Sequence, residues 1–242
     1  MSINKSNNQS SEFDCFFISY RESNCEQNWL RTLELCPLAI RIHGVHGIDR
    51  AQLTCEHLST TDYYWTIDGD NYLLEKLSFI PELDLHMFRC KDPVFNDTTP
   101  LGGIKLWRKN AIIHHDMSKG DFCLNATANK KVEDIYFSES RYNNSYYDAW
   151  KTAFRHCVKL LSPILKGRPH ANNIDFYLQR WASAKNLTSK NSQWCFRGYI
   201  DAQQFVKTSI DIDYLNQIND YIFLIEYFNE RYHSVTTNTQ SI

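Results

Sequence analysis

Two aspartates separated by one glycine, Asp68-Gly69-Asp70, follow directly on the stretch "YYWTI". This run of aromatic and branched residues predicts a buried strand, so the two carboxylates are expected at its carboxyl end. Carboxylate oxygens are hard ligands that suit Mg²⁺ or Mn²⁺, and such a pair suits an ion that also binds a diphosphate. An isolated acidic pair is more often a solvated turn or a helix cap, and the residues alone leave that alternative open.

The elements before this pair predict the sheet that positions it. Apolar runs at 14–20, 39–45 and 63–68 alternate with stretches of helical spacing at 23–37 and 47–61. Strand, helix, strand, helix, strand is typical of a parallel sheet with crossover helices, in which ligands bind at the carboxyl ends of strands. The order of elements therefore favours a functional interpretation of the acidic pair.

Further elements are expected along the chain. Strands are predicted at 85–90 and 104–113, separated by a long loop, and helices at 147–165, 172–182 and 213–233. Helical spacing gives the expected core positions of four helices: Trp29, Leu30, Leu33, Ile48, Ala51, Cys55, Leu58, Trp150, Phe154, Val158, Leu161, Leu215, Ile218, Ile222, Ile225 and Phe228.

Composition limits the class of protein. With 242 residues, 43% hydrophobic and 22% charged, the chain is expected to fold as a globular α/β protein. Its formal net charge of -2 excludes a global attraction to nucleic acid, so any such contact must be local. The eight cysteines are scattered, which favours buried reduced thiols and a cytoplasmic location. No apolar run approaches the ~20 residues of a membrane helix, and residues 1–12 are expected to form a flexible tail.

Five blocks of sequence, in this order, carry a family resemblance: "FFISYRESNCEQNW", "RIHGVHGI", "WTIDGDN", "FNDTTPLGGIKLW" and "YDAWKTAFRHCVKL". Together they resemble the glycosyltransferases found beside TET/JBP-type thymine and 5-methylcytosine oxygenases in tailed bacteriophages. Ser23, His46 and the stretch "DMSK" at 116–119 depart from the family pattern.

The resemblance implies a fold and an activity. It implies a GT-A-type, Rossmann-like nucleotide-sugar-binding sheet with crossover helices over 13–165. The helices predicted after this region are expected to form a helical C-terminal extension over 166–236, packed on the same domain. It further implies transfer of a sugar from a UDP-sugar, with Mn²⁺ or Mg²⁺, to a hydroxymethylated pyrimidine such as 5-hydroxymethylcytosine in DNA. For a phage-encoded protein the location would be the host cytoplasm.

On the donor side, the resemblance assigns Tyr20, Glu22 and Asn24 to contacts with the uracil or ribose. Tyr20 is equally an ordinary strand-end aromatic, and Asn24 equally a helix cap. By the same resemblance Asp70 is the first metal ligand, and Asp68 is a second ligand or a ribose partner.

Two glycines and a later loop complete the implied site. Gly44 and Gly47 bracket a loop that opens a helix, where free N–H groups can receive phosphate or simply form a turn. In the loop that resembles the acceptor side, Asn96 and Asp97 would lie near the reactive carbon of the sugar. Gly102 and Gly103 would let the backbone approach the ligand, and Lys105 and Trp107 are further implied contacts.

Two aspartates are candidate general bases that would deprotonate the acceptor hydroxyl, Asp97 and Asp116. Because His114 and His115 precede Asp116, a third metal ligand is its competing role. A surface turn is the alternative for each of these residues.

One helix face carries Lys151, Arg155 and Lys159 at four-residue spacing. Such a stripe is usually a solvated face, but within this family it would meet a diphosphate or a DNA backbone. Trp107 and Trp150 are candidates for stacking on a flipped base, with core packing as the alternative.

The sequence is also compatible with two other functions. The same donor chemistry can serve a protein, polysaccharide or small-molecule acceptor, which the slight negative charge favours. A binding module that kept the fold and lost catalysis is the other alternative, and the intact acidic pair argues against it.

Overall fold

Eight strands of the described part of the chain form one mixed sheet. The computed structural model describes residues 13–99, 102–112, 126–162, 165, 173–208 and 211–236, so the predicted tail lies outside it. The described strands are β1 Asp14–Ser19, β2 Ile40–His43, β3 Tyr63–Asp68, β4 Asn71–Leu73, β5 Leu85–Asp92, β6 Asp97–Thr99, β7 Ile104–Arg108 and β8 Lys130–Ser140. They pair in the order β2-β1-β3-β7-β5-β8-β4, and β6 pairs with β5.

The first three strands form the parallel half of the sheet. β1 pairs in parallel with both β2 and β3, and the helices α1 Cys25–Leu35 and α2 Ile48–Leu58 make the two crossovers. Phe17 of β1 belongs to the core under α1, and Phe16 belongs to the core on the opposite face, under α2. This arrangement confirms the predicted order of strands and helices and the α/β class.

The other half of the sheet is mixed. β7 is antiparallel to both β3 and β5, β8 is parallel to β5, and β4 is antiparallel to β8. The sequence predicted β5 and β7 but missed β4, β6 and β8. β8 has mostly exposed or partly exposed positions in its first seven residues, so it carries no apolar run that would reveal a strand.

Five α-helices follow the sheet within the described residues: α3 Tyr146–Leu161, α4 Ile174–Ser183, α5 Ser192–Thr208, α6 Ile212–Asn216 and α7 Tyr221–Thr236. The predicted face of α3, Trp150, Phe154 and Val158, is buried in a core cluster shared with α5 and α7. This cluster contains residues from both sides of position 165.

The predicted inward faces of α1 and α2 need correction. Leu30 is 62% exposed, and the buried positions of α1 include the polar residues Asn28 and Thr32. This face is polar because α1 lies against backbone carbonyls of the segment after β3, which need donors. In α2, Ile48 and Leu58 are exposed as well.

The helix predicted over 213–233 is in fact interrupted. The side chain of Asp220 accepts a hydrogen bond from the backbone N–H of Ile222 at 2.8 Å, as a helix N-cap does. The helical phase restarts there, so Leu224 is buried whereas Ile222 and Ile225 are exposed. The expectation that these two isoleucines are core residues is therefore wrong.

Two predictions from composition can be compared with the described residues. Seven cysteines lie within them as free thiols, and all except Cys36 are buried, which confirms that most are core residues. Across the same part of the chain, no helix has both the length and the apolar character needed to cross a bilayer.

Candidate functional site

The Asp68-Gly69-Asp70 turn lies at the carboxyl end of β3, as the sequence predicted. Asn28 of α1 donates a hydrogen bond from Nδ2 to the Gly69 carbonyl at 2.9 Å. The backbone N–H of Arg141 donates to the Asp70 carbonyl at 2.7 Å. Since two separate segments bind its carbonyls, the backbone of the turn is held in one position.

The carboxylates of this turn are only partly paired. Lys105 Nζ lies 3.0 Å from Asp68 Oδ2, and Asn71 Nδ2 donates to Asp70 Oδ1 at 2.7 Å. Asp68 Oδ1 is shielded from solvent and has no hydrogen-bond partner among the described residues. A buried acceptor without a donor costs free energy, so a positive group that reached this oxygen would be stabilised.

The surroundings of Asp70 raise the pKa of its carboxyl group. Burial raises its pKa, and the negative charges of Asp68 and Glu22 raise it further, from the ordinary 3.8 to about 6. The charge of Lys151 and the hydrogen bond from Asn71 oppose this rise. The negative charge of Asp70 is therefore under-compensated near neutral pH, and a bound cation would relieve it.

Glu22 lies against the glycine of the turn. Its Oε2 accepts a hydrogen bond from the Tyr20 N–H at 2.8 Å, and a Cβ added at Gly69 would lie 2.8 Å from the same oxygen. A side chain at position 69 would force this carboxylate to move. The sequence assigned Glu22 to a uracil or ribose contact, and the structure makes it the third carboxylate at this edge of the sheet.

Tyr20 and Asn24 have different surroundings. The half-buried Tyr20 ring packs against Tyr221 of α7, with ring centroids 5.3 Å apart, and it makes a T-shaped contact with the His46 ring at 6.3 Å. Asn24 is buried and donates from Nδ2 to the Arg141 carbonyl at 3.0 Å, with no cap to α1. Tyr20 therefore borders the open edge of the site, whereas the Asn24 amide binds the protein itself.

Gly44 and Gly47 bracket the loop that opens α2, as predicted. Their φ angles are 73° and 92°, a region that favours glycine, and Gly47 is the N-cap of α2. Both glycines are exposed at the carboxyl end of β2. A helix N-terminus in this position can bind a phosphate, and that role stays a prediction.

Two residues of the basic stripe on α3, Lys151 and Arg155, are bound by other groups of the protein. Lys151 is buried and pairs with Asp148, with 3.0 Å between Nζ and Oδ1. Arg155 donates from Nε to the Ile218 carbonyl at 2.8 Å. Lys151 also adds positive potential at Asp70, a role that its place in the sequence did not suggest.

On the predicted acceptor side, Asp97 is bound by Arg180 of α4. Arg180 Nη2 donates to Asp97 Oδ1 at 2.7 Å, Nη1 binds the other Asp97 oxygen, and Nη2 also reaches Asp92 Oδ2 at 2.9 Å. Both oxygens of Asp97 thus have a partner, unlike those of a free general base. Asn96 is an exposed turn residue with φ 55°. The other candidate base, Asp116, lies outside the described residues, as do its neighbouring histidines.

Gly102 and Gly103 allow close packing within the sheet. A Cβ at Gly103 would lie 2.2 Å from Asn71 Nδ2, and one at Gly102 would lie 1.8 Å from the Phe88 carbonyl oxygen. The absence of a side chain is therefore required by the protein at both positions. Their contact with a ligand stays a prediction.

Trp107 and Trp150 are core residues. Both are fully buried. Trp107 Nε1 donates to Thr66 Oγ1 at 3.0 Å, and Trp150 Nε1 donates to Asp201 Oδ2 at 2.7 Å. Neither ring has a face open to a ligand, so the structure favours the core-packing alternative over stacking on a base.

A cavity of about 90 Å³ lies beside the acidic turn. Asp70 and Ser140 line it from the sheet side, and His156 of α3 and Tyr177 and Arg180 of α4 line it from the helices. Sequence reasoning missed His156 and Arg180 as site residues. No local pattern joins these positions, since they meet only when α3 and α4 pack beside the strand ends.

The donor atoms of the turn can be tested against the metal that the family resemblance implies. Within the described residues there is no group of three or more His, Cys, Asp or Glu side chains that could hold a metal ion. The turn offers Asp68 Oδ1 and the Asp70 carboxylate. Mg²⁺ is usually bound by one or two carboxylates together with substrate phosphates and water. The residues therefore fit an ion that arrives with a diphosphate, and do not fit a metal centre made by protein alone.

Comparison with protein-family models and with curated proteins finds no match to this chain.

Proposed function

We propose that this protein is a metal-dependent glycosyltransferase that moves a sugar from a UDP-sugar to a hydroxyl acceptor, namely a 5-hydroxymethylpyrimidine in phage DNA. The observation that carries the proposal is the acidic turn at the carboxyl end of β3, with its unpartnered Asp68 oxygen and the raised pKa of Asp70. A GT-A-type sheet is part of the proposal, supported by the parallel half formed by β2, β1 and β3.

The donor half of the reaction follows from charges at this turn. Asp68 and Asp70 would hold Mn²⁺ or Mg²⁺. Such an ion supplies positive charge to the diphosphate as it leaves the sugar. Lys105 keeps Asp68 in place at 3.0 Å, and Lys151 adds positive potential at the same edge. Both lysines are already paired, Lys105 with Asp68 and Lys151 with Asp148. The turn therefore offers anionic groups for a cation, and the positive charge at the diphosphate would come from that ion.

The nucleotide would lie along the edge formed by the ends of β1 and β2. Tyr20 presents a half-buried ring there, and the N-terminus of α2 follows at Gly47. An aromatic face suits a uracil ring, and an exposed helix N-terminus suits a phosphate. The acidic turn lies at the end of the neighbouring strand, β3.

A second acceptor class is favoured by one observation. The basic stripe that would meet a DNA backbone is engaged internally, by Asp148 at Lys151 and by the Ile218 carbonyl at Arg155. An enzyme with the same donor chemistry and a protein, polysaccharide or small-molecule acceptor would need no such stripe.

The test is a mass measurement of transferred sugar. Hydroxymethylated and unmodified DNA are incubated with the protein, Mn²⁺ and a panel of UDP-sugars, and the nucleosides are then analysed by mass spectrometry. An added hexose or N-acetylhexosamine mass only on the hydroxymethylated DNA supports the proposal. Transfer to other acceptors alone would favour the second class, and failure to consume any UDP-sugar would refute the donor chemistry.

Asp70→Asn is the informative variant in this assay. We expect it to abolish transfer, because the amide has no charge with which to hold the cation. Asp134→Asn is the matched control, since the Asp134 side chain is 93% exposed on β8. It should transfer sugar at the wild-type rate, and full activity of Asp70→Asn would remove the role proposed for Asp70.

A further inference from the structure

One residue that lines the cavity beside the acidic turn has a ring nitrogen without a partner in the described part of the chain. This residue is His156, and its Nε2 is shielded from solvent without a hydrogen-bond partner among the described residues. Buried polar atoms are usually paired. A ligand atom that reached such an unpaired group, in a residue that lines a cavity, would be stabilised.

The proton of His156 can be assigned from its other nitrogen. The indole Nε1 of Trp181 is 2.9 Å from His156 Nδ1. Because an indole N–H can only donate, Nδ1 must be the acceptor and carries no proton. In the neutral ring the proton is therefore on Nε2. Burial lowers the pKa of His156 to about 4, helped by the charges of Lys159 and Arg180, so the ring is neutral at physiological pH.

The other groups of the cavity limit what it can hold. Both oxygens of Asp92 are engaged: Oδ1 accepts from the Tyr142 hydroxyl at 2.7 Å, and Oδ2 accepts from Arg180 at 2.9 Å. Asp70, at the turn, is therefore the lining carboxylate that remains available to a ligand. Tyr177 adds an aromatic ring whose centroid is 5.3 Å from that of His156.

The size of the cavity fits part of a substrate. Its volume of about 90 Å³ is several times the roughly 10–15 Å³ that one water needs. It is well below the ~300 Å³ of the smallest drug-sized sites. It suits a single small ring with its substituents, and it is too small for a whole nucleotide.

We propose that this cavity is the acceptor pocket, and that His156 recognises a ring-borne carbonyl oxygen or ring nitrogen through its Nε2–H while the acceptor hydroxyl lies toward Asp70. The proposal rests on the glycosyltransferase function proposed above. It makes His156 a specificity-determining residue, and it excludes acceptors that offer no hydrogen-bond acceptor at that position.

Two substitutions test the roles of the two ring nitrogens of His156 separately. His156→Asn keeps an oxygen near the place of Nδ1 to accept from Trp181, and it loses the donor at Nε2. His156→Gln keeps an amide donor near Nε2 and loses the acceptor for Trp181. His57→Asn is the control, since His57 is exposed on α2.

The probe is a single-stranded oligonucleotide with one 5-hydroxymethylcytosine, with a UDP-sugar and Mn²⁺. Two rates are measured: transfer to the oligonucleotide, and hydrolysis of the UDP-sugar without it. We expect kcat/KM for transfer by His156→Asn to fall at least about tenfold more than the hydrolysis rate falls, as loss of one buried hydrogen bond predicts. His156→Gln should keep transfer within about threefold of wild type.

Equal transfer by His156→Asn and wild type would overturn the pocket assignment, as would equal losses in the Asn and Gln variants. A ¹⁵N NMR measurement of His156 in the wild type distinguishes a wrong pocket assignment from a wrong proposed function. If no UDP-sugar is consumed, the proposed function fails. A shift of the Nε2 resonance on adding the oligonucleotide would still support binding in this cavity, and an unchanged resonance would refute it.

Discussion

The charge of Asp70 should make the protein less stable at neutral pH. Its pKa of about 6 in the folded protein lies above the ordinary 3.8, so the folded state holds the proton more tightly than the unfolded state. The stabilisation from this proton is complete below pH ~3.8 and is lost as the pH rises through about 6. The difference of about two pH units corresponds to about 3 kcal/mol.

Asp70→Asn is neutral at every pH and can keep the hydrogen bond from Asn71. Above pH 6 we therefore expect this variant to be more stable than wild type by up to about 3 kcal/mol, and the gain should shrink steadily toward pH 4. Urea unfolding followed by circular dichroism at several pH values from 4.5 to 8 measures both free energies of unfolding.

Asp134→Asn is the control, and because the Asp134 side chain is 93% exposed, this substitution should change the free energy of unfolding much less than Asp70→Asn does. Two results would refute the reasoning about Asp70. One is a stability difference that stays constant between pH 4.5 and 8, and the other is a wild type that is the more stable protein at pH 8. Either would mean that the turn already compensates the carboxylate.

Two further predictions concern neighbouring groups. Asn28→Ala removes the donor to the Gly69 carbonyl, so it should lower the free energy of unfolding by about 1–3 kcal/mol and weaken sugar transfer; an unchanged urea midpoint would contradict this. The pKa of His156 is lowered from 6.5 to about 4, so its contribution to stability is present above pH 6.5 and is lost as the pH falls through 4. Wild type should therefore lose stability relative to His156→Asn in that range, and parallel stability curves would contradict it.

Much of the parallel half of the fold could be predicted because its residues carry local patterns. β1 and β3 are continuous apolar runs, and glycines mark the loop that opens α2. The location of the acidic turn at a strand end follows from the same pattern. β8 could not be found in this way, because most of its early positions face solvent.

Helix α5 was not predicted from the sequence, for a different reason. Its buried positions include Gly198 and Asp201, which interrupt the apolar spacing. Asp201 accepts hydrogen bonds from Trp150 and from the Tyr232 hydroxyl at 2.7 and 2.9 Å, so it is a core residue that no apolar pattern can identify. A buried carboxylate of this kind is explained only by its partners in other helices.

The residues of the candidate site also fall into those that a local sequence pattern predicts and those that it does not. The positions of Asp68 and Asp70 follow from the strand before them. The places of Glu22 beside Gly69 and of His156 on the cavity wall depend on how separate segments pack. Trp107 illustrates the opposite error, since an aromatic residue near a glycine-rich loop resembles a ligand contact until its burial is known.

The most direct measurement is a crystal structure of the protein with Mn²⁺ and UDP, using the anomalous scattering of manganese. We expect a manganese peak within coordination distance of the carboxylates of Asp68 and Asp70, bridged to the diphosphate, with the uracil near Tyr20. A structure with no manganese at this turn, or with the nucleotide bound elsewhere, would contradict the central claim that these two aspartates hold a cation for a leaving diphosphate.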